Sequence, residues 1–285
     1  MFLKNDKIVA TINDVAMRSY RLSGISGQLI LDPVAIVGWT DGTSVRRDAT
    51  PRPTSHGDFS ERATMSARVI SLSGTAIAGS PSELQSLRDS LLGTLGNGNY
   101  GTLSVETTAG IRYATVGLEG TPSWTILTDN VAAYKIDLYA PDPYLYGPER
   151  ITPAGANSVQ GGLAFPLAYP LNYNIIGGDA AQVIANAGNA PAYPKFRVTG
   201  DYLSGFTLTD NLGNFVKYDG MVTFSAPVII DMAGGYAHQN GVDKTTLVSR
   251  RDWFAIPPKS SIQPLFTPIQ NGSGWCDIIY RDTWI

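Results

Sequence analysis

The stretch Arg68-Val-Ile-Ser-Leu-Ser-Gly-Thr-Ala-Ile77, followed almost at once by Ser80-Pro-Ser-Glu83, decides how this chain is read. Residues 68–77 have β character. Ser80 is a natural helix N-cap, Pro81 suits the first helical position and Glu83 completes a capping box. Leu84, Leu87, Leu91, Leu92 and Leu95 follow at i, i+3, i+7, i+8 and i+11, one apolar stripe of a helix over about 80–96. Gly96 stands where a C′ glycine ends a helix. Each buried leucine contributes roughly 1.5–3 kcal/mol, so the helix must lie on a sheet or a neighbour. Its other face carries Gln85, Arg88 and Asp89.

Outward from this unit the chain is strand-rich. Lys7–Ile12, Gln28–Leu31 and Val34–Val37 are short apolar runs cut by Gly, Asp and Pro. A polar stretch, Asp41 to Asp58, holds Arg46, Arg47, Pro51, Arg52, Pro53 and His56. It is too long and polar for a tight turn, and reads as either a working loop or plain disorder. Its Pro-Arg-Pro favours an extended backbone. On the other side, Thr102–Glu106 and Ile111–Val116 alternate and are joined by a Thr107–Gly110 turn, a hairpin. Trp124–Tyr139 is another strand-like stretch. Ala140-Pro-Asp-Pro-Tyr-Leu-Tyr-Gly-Pro148 then breaks any regular element. The domain boundary is placed here, giving 1–148 and 149–285.

The second half shows short strands at regular spacing: Ala181–Asn186, Pro194–Gly200, Phe206–Thr209, Phe215–Tyr218, Met221–Phe224, Val228–Asp231, Thr245–Val248, Ser261–Thr267 and Trp275–Trp284. Turn chemistry at Asp210–Asn214 and Gln239-Asn-Gly separates some of them, and there is no amphipathic helix. This pattern predicts an antiparallel sandwich.

Composition agrees with a mainly β protein. Among 285 residues there are 30 Gly and 18 Pro, too many breakers for long helices. Hydrophobic residues are 43% and charged residues 16%, which argues against disorder, a coiled coil or an acidic tail. The net charge of −3 gives no basic field for nucleic acid. One cysteine, Cys276, makes no intrachain disulfide and no multi-cysteine zinc site. The N-terminal residues lack the apolar core of a signal peptide, and no run approaches the ~20 apolar residues of a membrane span. The expectation is a protein made and folded in a cytoplasm.

Chemical motifs have bland alternatives. Gly96-Asn-Gly-Asn-Tyr-Gly101 is a literal G-x-G-x-x-G, but it follows a helix and precedes a strand. A phosphate would meet the wrong end of that helix dipole. His56 and His238 are the only histidines, and no Gly-x-Ser-x-Gly elbow is present. The five glutamates and the turn aspartates define no catalytic pair. Asp210 lies in a hairpin turn without the ligands of a calcium loop. Asn271-Gly-Ser is a chance sequon. No enzyme activity, cofactor or metal is expected. Tyr144, Tyr146, Phe165, Tyr169 and Tyr173 cluster around the boundary, either as packing or as a sugar-stacking platform. Arg46, Arg47, Arg52, Arg62 and Arg68 form an arginine-rich region that reads as a solvated loop or a subunit contact.

Four features in order resemble the siphophage distal tail (Dit) protein family: Arg68–Ile77 with the capped helix; Asp142-Pro-Tyr; Asn186-x-Gly-Asn-Ala-x-x-Tyr-Pro194 with Lys195–Gly200; and Val228–Asp231, Trp253-x-x-Ile-Pro257 and Tyr280-Arg-Asp-Thr-Trp284. The loop Arg52-Pro-Thr-Ser-His56-Gly57 is similar to that of actinobacteriophage minor tail proteins. Pro257-Pro-Lys-Ser departs from the Pro-Gly-x-Asn that family members often carry.

The resemblance implies an N-terminal ring-forming domain of β-sandwich or split-barrel type with one helix, and a C-terminal galectin-like antiparallel β-sandwich. It implies a homohexameric ring in the virion, at the tip of a long non-contractile tail and assembled in the host cytoplasm. The tail tube protein would sit above, the tip or baseplate hub protein below, and the tape measure protein is a further neighbour. Genomic DNA would pass through the lumen without specific binding, and no membrane is involved. The segments assigned to the ring are Trp39–Phe59, the Leu84–Leu95 helix and strands 111–139, with Arg46, Arg47, Arg52, His56, Arg62, Arg68, Leu84, Leu87, Leu91 and Leu95 as the candidate contact residues. The competing reading is a tail-associated carbohydrate-binding or adhesin protein.

Overall fold

A computed structural model of the chain describes residues 7–32, 36–60, 62–156, 182–270 and 272–285. The Val34–Val37 and Ala181–Asn186 strands lie partly outside the described residues, and Phe165, Tyr169, Tyr173 and Asn271 wholly so. The protein is mainly β. It divides into two compact units, Met1–Gly147 with Ile285, and Pro148–Trp284.

The first unit contains β1 (Val9–Ile12), β2 (Val15–Arg18), β3 (Gln28–Leu31), β4 (Val45–Arg46), β5 (Ala49–Pro51), β6 (Asp58–Ser60), β7 (Thr64–Met65), β8 (Arg68–Ile77), α1 (Pro81–Gly93), β9 (Gly101–Thr107), β10 (Gly110–Thr128), β11 (Val131–Ala140) and β12 (Leu145–Tyr146). Seven of these close into a barrel in the order β11-β8-β3-β2-β1-β9-β10 and back to β11. The sandwich or split barrel expected from the resemblance is therefore a closed barrel. Closure depends on β10 being long enough to serve two neighbours. Gly110–Val116 pairs with β9, and Gly117–Thr128 pairs with β11. All barrel pairs are antiparallel except β2–β3.

Alternation fills the interior. Ile70, Leu72 and Ala76 of β8 and Ala132, Tyr134, Ile136, Leu138 and Ala140 of β11 are buried, as period two requires. Gly74 sits opposite Tyr134 in register. A Cβ there would lie 1.9 Å from the Ile30 carbonyl oxygen, and the Tyr134 hydroxyl donates to that same oxygen at 3.2 Å. The glycine in the Arg68–Ile77 strand is thus a close-approach position.

The helix forms as its sequence dictates, with two differences. The Glu83 N–H donates to Ser80 Oγ at 3.3 Å, but the Glu83 carboxylate accepts from the Gly79 N–H and the Ser26 hydroxyl, 2.6 Å each, rather than from Ser80. The helix ends at Gly93, with Thr94 still in a right-handed conformation and its hydroxyl donating to Ser90 O at 2.8 Å. The left-handed residue is Gly98, φ +71°, and not Gly96. Leu84, Leu91 and Leu95 are buried.

The second unit contains β13 (Arg150–Ala156), β14 (Ile184–Asn186), β15 (Lys195–Asp201), β16 (Phe206–Thr209), β17 (Phe215–Tyr218), β18 (Val228–Asp231), β19 (Tyr236–Gln239), β20 (Val242–Asp243), β21 (Val248–Arg251), β22 (Ser260–Ile262), β23 (Leu265–Pro268), β24 (Ser273–Tyr280) and β25 (Thr283–Trp284), with one 3-10 turn at Thr245–Leu247. Its main ladder runs β20-β19-β18-β15-β24-β13-β23-β16-β17-β21. The strand β13 links two halves: Arg150–Ala154 pairs antiparallel with β24, then Gly155–Ala156 pairs parallel with β23. Inward residues of both halves form one core, including Phe196, Val198, Ile230 and Ile278 with Phe206, Leu208, Tyr218 and Phe266. Phe206 packs on Tyr218 and Phe266 with ring centroids 5.3 and 5.6 Å apart. The expected Met221–Phe224 strand is a turn with isolated bridges, Tyr202↔Val222 and Thr223↔Ala226.

Asn186 explains the Asn186-x-Gly-Asn-Ala motif. Its Nδ2 donates to the carbonyls of Ala190 and Ile256 at 2.7 and 3.3 Å, and its Oδ1 accepts from the N–H groups of Gly188 and Thr283 at 2.9 and 3.2 Å. Gly188 is obligatory beside it, since a Cβ would fall 1.8 Å from Thr283 O.

Candidate assembly surfaces

The polar stretch that reads as a loop folds into a projecting arm. Val45 pairs with Met65 and Arg46 with Thr64; farther out, Ala49, Thr50 and Pro51 pair with Ser60, Phe59 and Asp58. The tip closes through the Arg52 N–H donating to Gly57 O at 3.1 Å, with Gly57 at φ +88°. The arm buries neither face. Arg46, Arg47, Arg52, His56 and Arg62 are exposed, and so are Val45, Phe59 and Met65. The Arg52 guanidinium lies 5.3 Å from the Phe59 ring centroid.

Arg68 is placed differently from the other four arginines. It is 3% exposed and lies at the root of the arm. Its Nη1 donates to the carbonyl oxygens of Gly38 and Asp41 at 2.7 Å each and to Trp39 O at 3.3 Å, and its Nε donates to Pro143 O at 3.0 Å. It fixes where the arm leaves the barrel and offers no surface to a neighbour.

The leucines are also internal. Leu84, Leu91 and Leu95 are buried and Leu87 is half-buried, so they attach α1 to its own barrel. Asn13 secures the far end of the helix by donating to Thr94 O at 3.2 Å and accepting from the Thr102 N–H at 3.3 Å. What α1 shows to solvent is its polar face.

A second surface lies within the strands 111–139 assigned to the ring, although which of their edges is free was not legible in the sequence. Beyond Val116, where β9 ends, β10 has β11 on one side and no strand on the other among the described residues. Its free edge runs along 120–128, with Ile126 68% and Leu127 58% exposed. A register shift between Glu119 and Ser123 spans Gly120, at φ +65°, and Pro122. A bulge and a proline are usual protections of an edge strand. The signal in the sequence is Gly120-Thr-Pro122 inside an otherwise strand-like run. The arm and this edge are two different surfaces on one unit, both able to offer unpaired backbone groups to another chain.

The histidines fall apart from any cluster. His56 is at the arm tip, and His238 lies in β19 with its ring 5.7 Å from that of Tyr236. Among the described residues no three His, Cys, Asp or Glu side chains come together as a metal site. No helix among them is long and apolar enough to cross a membrane.

No protein-family model matches this chain, and no curated protein matches it. Among solved structures it is similar to the SPP1 Dit (gp 19.1) protein, described as a paradigm of the hub adsorption apparatus in phages infecting Gram-positive hosts. The identity is 12%, the coverage 98% of this chain and 99% of that one, and the TM-score 0.63. Chains of the phage P2 baseplate in its activated conformation, with calcium and with strontium, also match at 12% identity, covering 97% of this chain and 98% of theirs, with a TM-score of 0.46. At this identity the likeness to the SPP1 protein establishes a shared fold along nearly the full length of both chains.

Proposed function

We propose that this chain is a structural phage tail protein, a distal tail hub that closes into a homohexameric ring at the tip of a long non-contractile tail. The observation that carries the reading is the fold shared with the SPP1 hub protein over 98% of this chain. The two unlike surfaces of the first unit support it. A head-to-tail contact closes into a ring only when each copy offers two complementary patches. The arm at 45–65 and the edge at 120–128 suit strand addition between copies. Residues 1–148 are the ring-forming domain in this reading, and 149–285 a galectin-like sandwich attached to it. The tail tube protein lies above the ring, the tip or baseplate hub protein below, and the tape measure protein is a further neighbour. DNA passes through a lumen that does not hold it, in keeping with a net charge of −3. The protein works by geometry in the virion, and no side chain is assigned chemistry.

Light scattering and negative-stain microscopy on the purified full-length chain test this. Sixfold rings are the expected result. Ile126→Asp, at an exposed position, should leave a folded subunit that no longer closes. A wild-type chain that stays monomeric from micromolar to millimolar concentration overturns the proposal.

A further inference from the structure

The outer face of the β15–β24 ladder carries the exposed Trp275 ring beside an ion pair, with Phe224 of the 222–226 turn packed against it, and we infer that it is a saccharide-binding platform which stacks one pyranose on Trp275. This inference is independent of ring closure. Trp275 is 48% exposed and Phe224 53%, with ring centroids 6.1 Å apart and planes at 49°. Cys276 and Ile278 point into the core, so period two turns Trp275 and Asp277 outward. The same rule turns Thr199 and Arg197 outward from β15, where Phe196 and Val198 are buried.

Register then sets an aromatic rung next to a charged one. Trp275 lies opposite Thr199, and Asp277 lies opposite Arg197. Two residues of strand separate the rungs by about 7 Å. That is the scale of a six-membered sugar ring with its equatorial hydroxyls. On the far flank, β13 stays with β24 only as far as Ala154↔Cys276 and then leaves for β23 at Gly155. Among the described residues no strand walls Trp275 on that side.

The chemistry fits both parts of a sugar. Its C–H face packs on an exposed ring, and its rim of hydroxyls needs donors and acceptors. Arg197 Nε and Nη2 both donate to Asp277 Oδ2, at 3.2 and 2.8 Å. That leaves Asp277 Oδ1 as an acceptor and Arg197 Nη1 as a donor, suited to a pair of neighbouring hydroxyls. The Arg197 side chain is 41% exposed and so reachable. A protein partner is the poorer fit, because the core of a protein interface is depleted of charge and here the ion pair adjoins the rings.

Saturation-transfer NMR on the full-length chain, with the methyl glycosides of glucose, galactose, N-acetylglucosamine and rhamnose as probes, tests the site. At least one should receive transfer on its ring protons. Trp275→Ala should weaken binding about tenfold or more, and Asp277→Asn about threefold or more, without shifting the melting temperature. Transfer to none of the four probes, or transfer unchanged in Trp275→Ala, overturns the inference. So does a change of oligomeric state in Trp275→Ala, which would make this face a subunit contact. Sugar binding by a monomeric chain would refute the ring and leave this site standing.

Discussion

Arg68 Nη1 lies 2.7 Å from the carbonyl oxygen of Asp41, across 27 residues of sequence that include the whole arm. The same guanidinium takes the carbonyls of Gly38, Trp39 and Pro143. Burial lowers the pKa of Arg68, and the nearby Asp41 charge raises it. A cation held in this way fixes the angle at which the arm projects.

Arg68→Met should therefore loosen the arm and destabilise the barrel together. Each buried acceptor left without its donor costs about 1–3 kcal/mol, so a loss of about 3 kcal/mol or more is expected in urea unfolding. Trypsin should cut faster at Arg46, Arg47 and Arg62; Arg52 precedes Pro53 and is not a tryptic site. Unchanged stability and cleavage would show the clamp to be idle.

The helix gives an internally controlled test. Leu91 is 1% exposed, whereas Leu87 is half-buried. Leu91→Ala should cost about 2–5 kcal/mol and Leu87→Ala clearly less. Equal losses at the two positions would mean that the helix does not seat on the barrel as described.

How much of this was readable beforehand follows from the range of the interactions. Ser80, Pro81, Glu83 and the leucine stripe specify α1 within a dozen residues. Thr107–Gly110 likewise specifies a hairpin, and Gly110 pairs with Thr107 as expected. Barrel closure was hidden, because it rests on β10 changing partner between Val116 and Gly117, a matter of long-range register. The arm was hidden for another reason. Its strands bury neither face, so no alternation marks them, and the pairing Val45↔Met65 bridges residues that composition alone describes as loop. For Trp275, a strand was evident but its exposed face was not; that depends on Cys276 turning inward.

Asn186 is the polar staple of the second unit, 1% exposed with both amide atoms engaged. Asn186→Ala removes all four hydrogen bonds and should cost about 2–4 kcal/mol. Gly188→Ala should be as harmful through its clash with Thr283 O. Thermal melts that leave either variant at the wild-type midpoint would contradict this account.

Acid should weaken the second unit through Asp231. Burial raises its pKa, but the Lys195 ammonium at 2.8 Å and the N–H groups of Ala233 and Gly234 outweigh burial, and the net direction is downward. A carboxylate whose folded pKa lies below the unfolded value of about 3.9 adds stability above that pH, and the contribution fades as pH falls through the folded value. Melting curves from about pH 6 down to about pH 3 should show this loss, and Asp231→Asn should flatten it. A variant with the wild-type acid slope would assign the effect to other carboxylates.

Cys276 is the only cysteine and is fully buried, between Ala154 and Val198 on the neighbouring strands. Burial pushes its thiol well above the ordinary range, with the Asp277 charge adding to the effect. The thiolate is the reactive form, so both access and ionisation protect it. A disulfide-exchange reagent such as Ellman's should leave the native chain unlabelled over hours and label it at once in denaturant. Under native conditions the labelling rate should follow opening of the sandwich, and Asn186→Ala should raise it. Cys276→Ser tests the packing directly, since a hydroxyl in this core without a partner costs about 1–3 kcal/mol. Prompt labelling of the folded wild-type chain would mean that β24 is not covered on its inner face, and the two halves of the second unit would then not share a core.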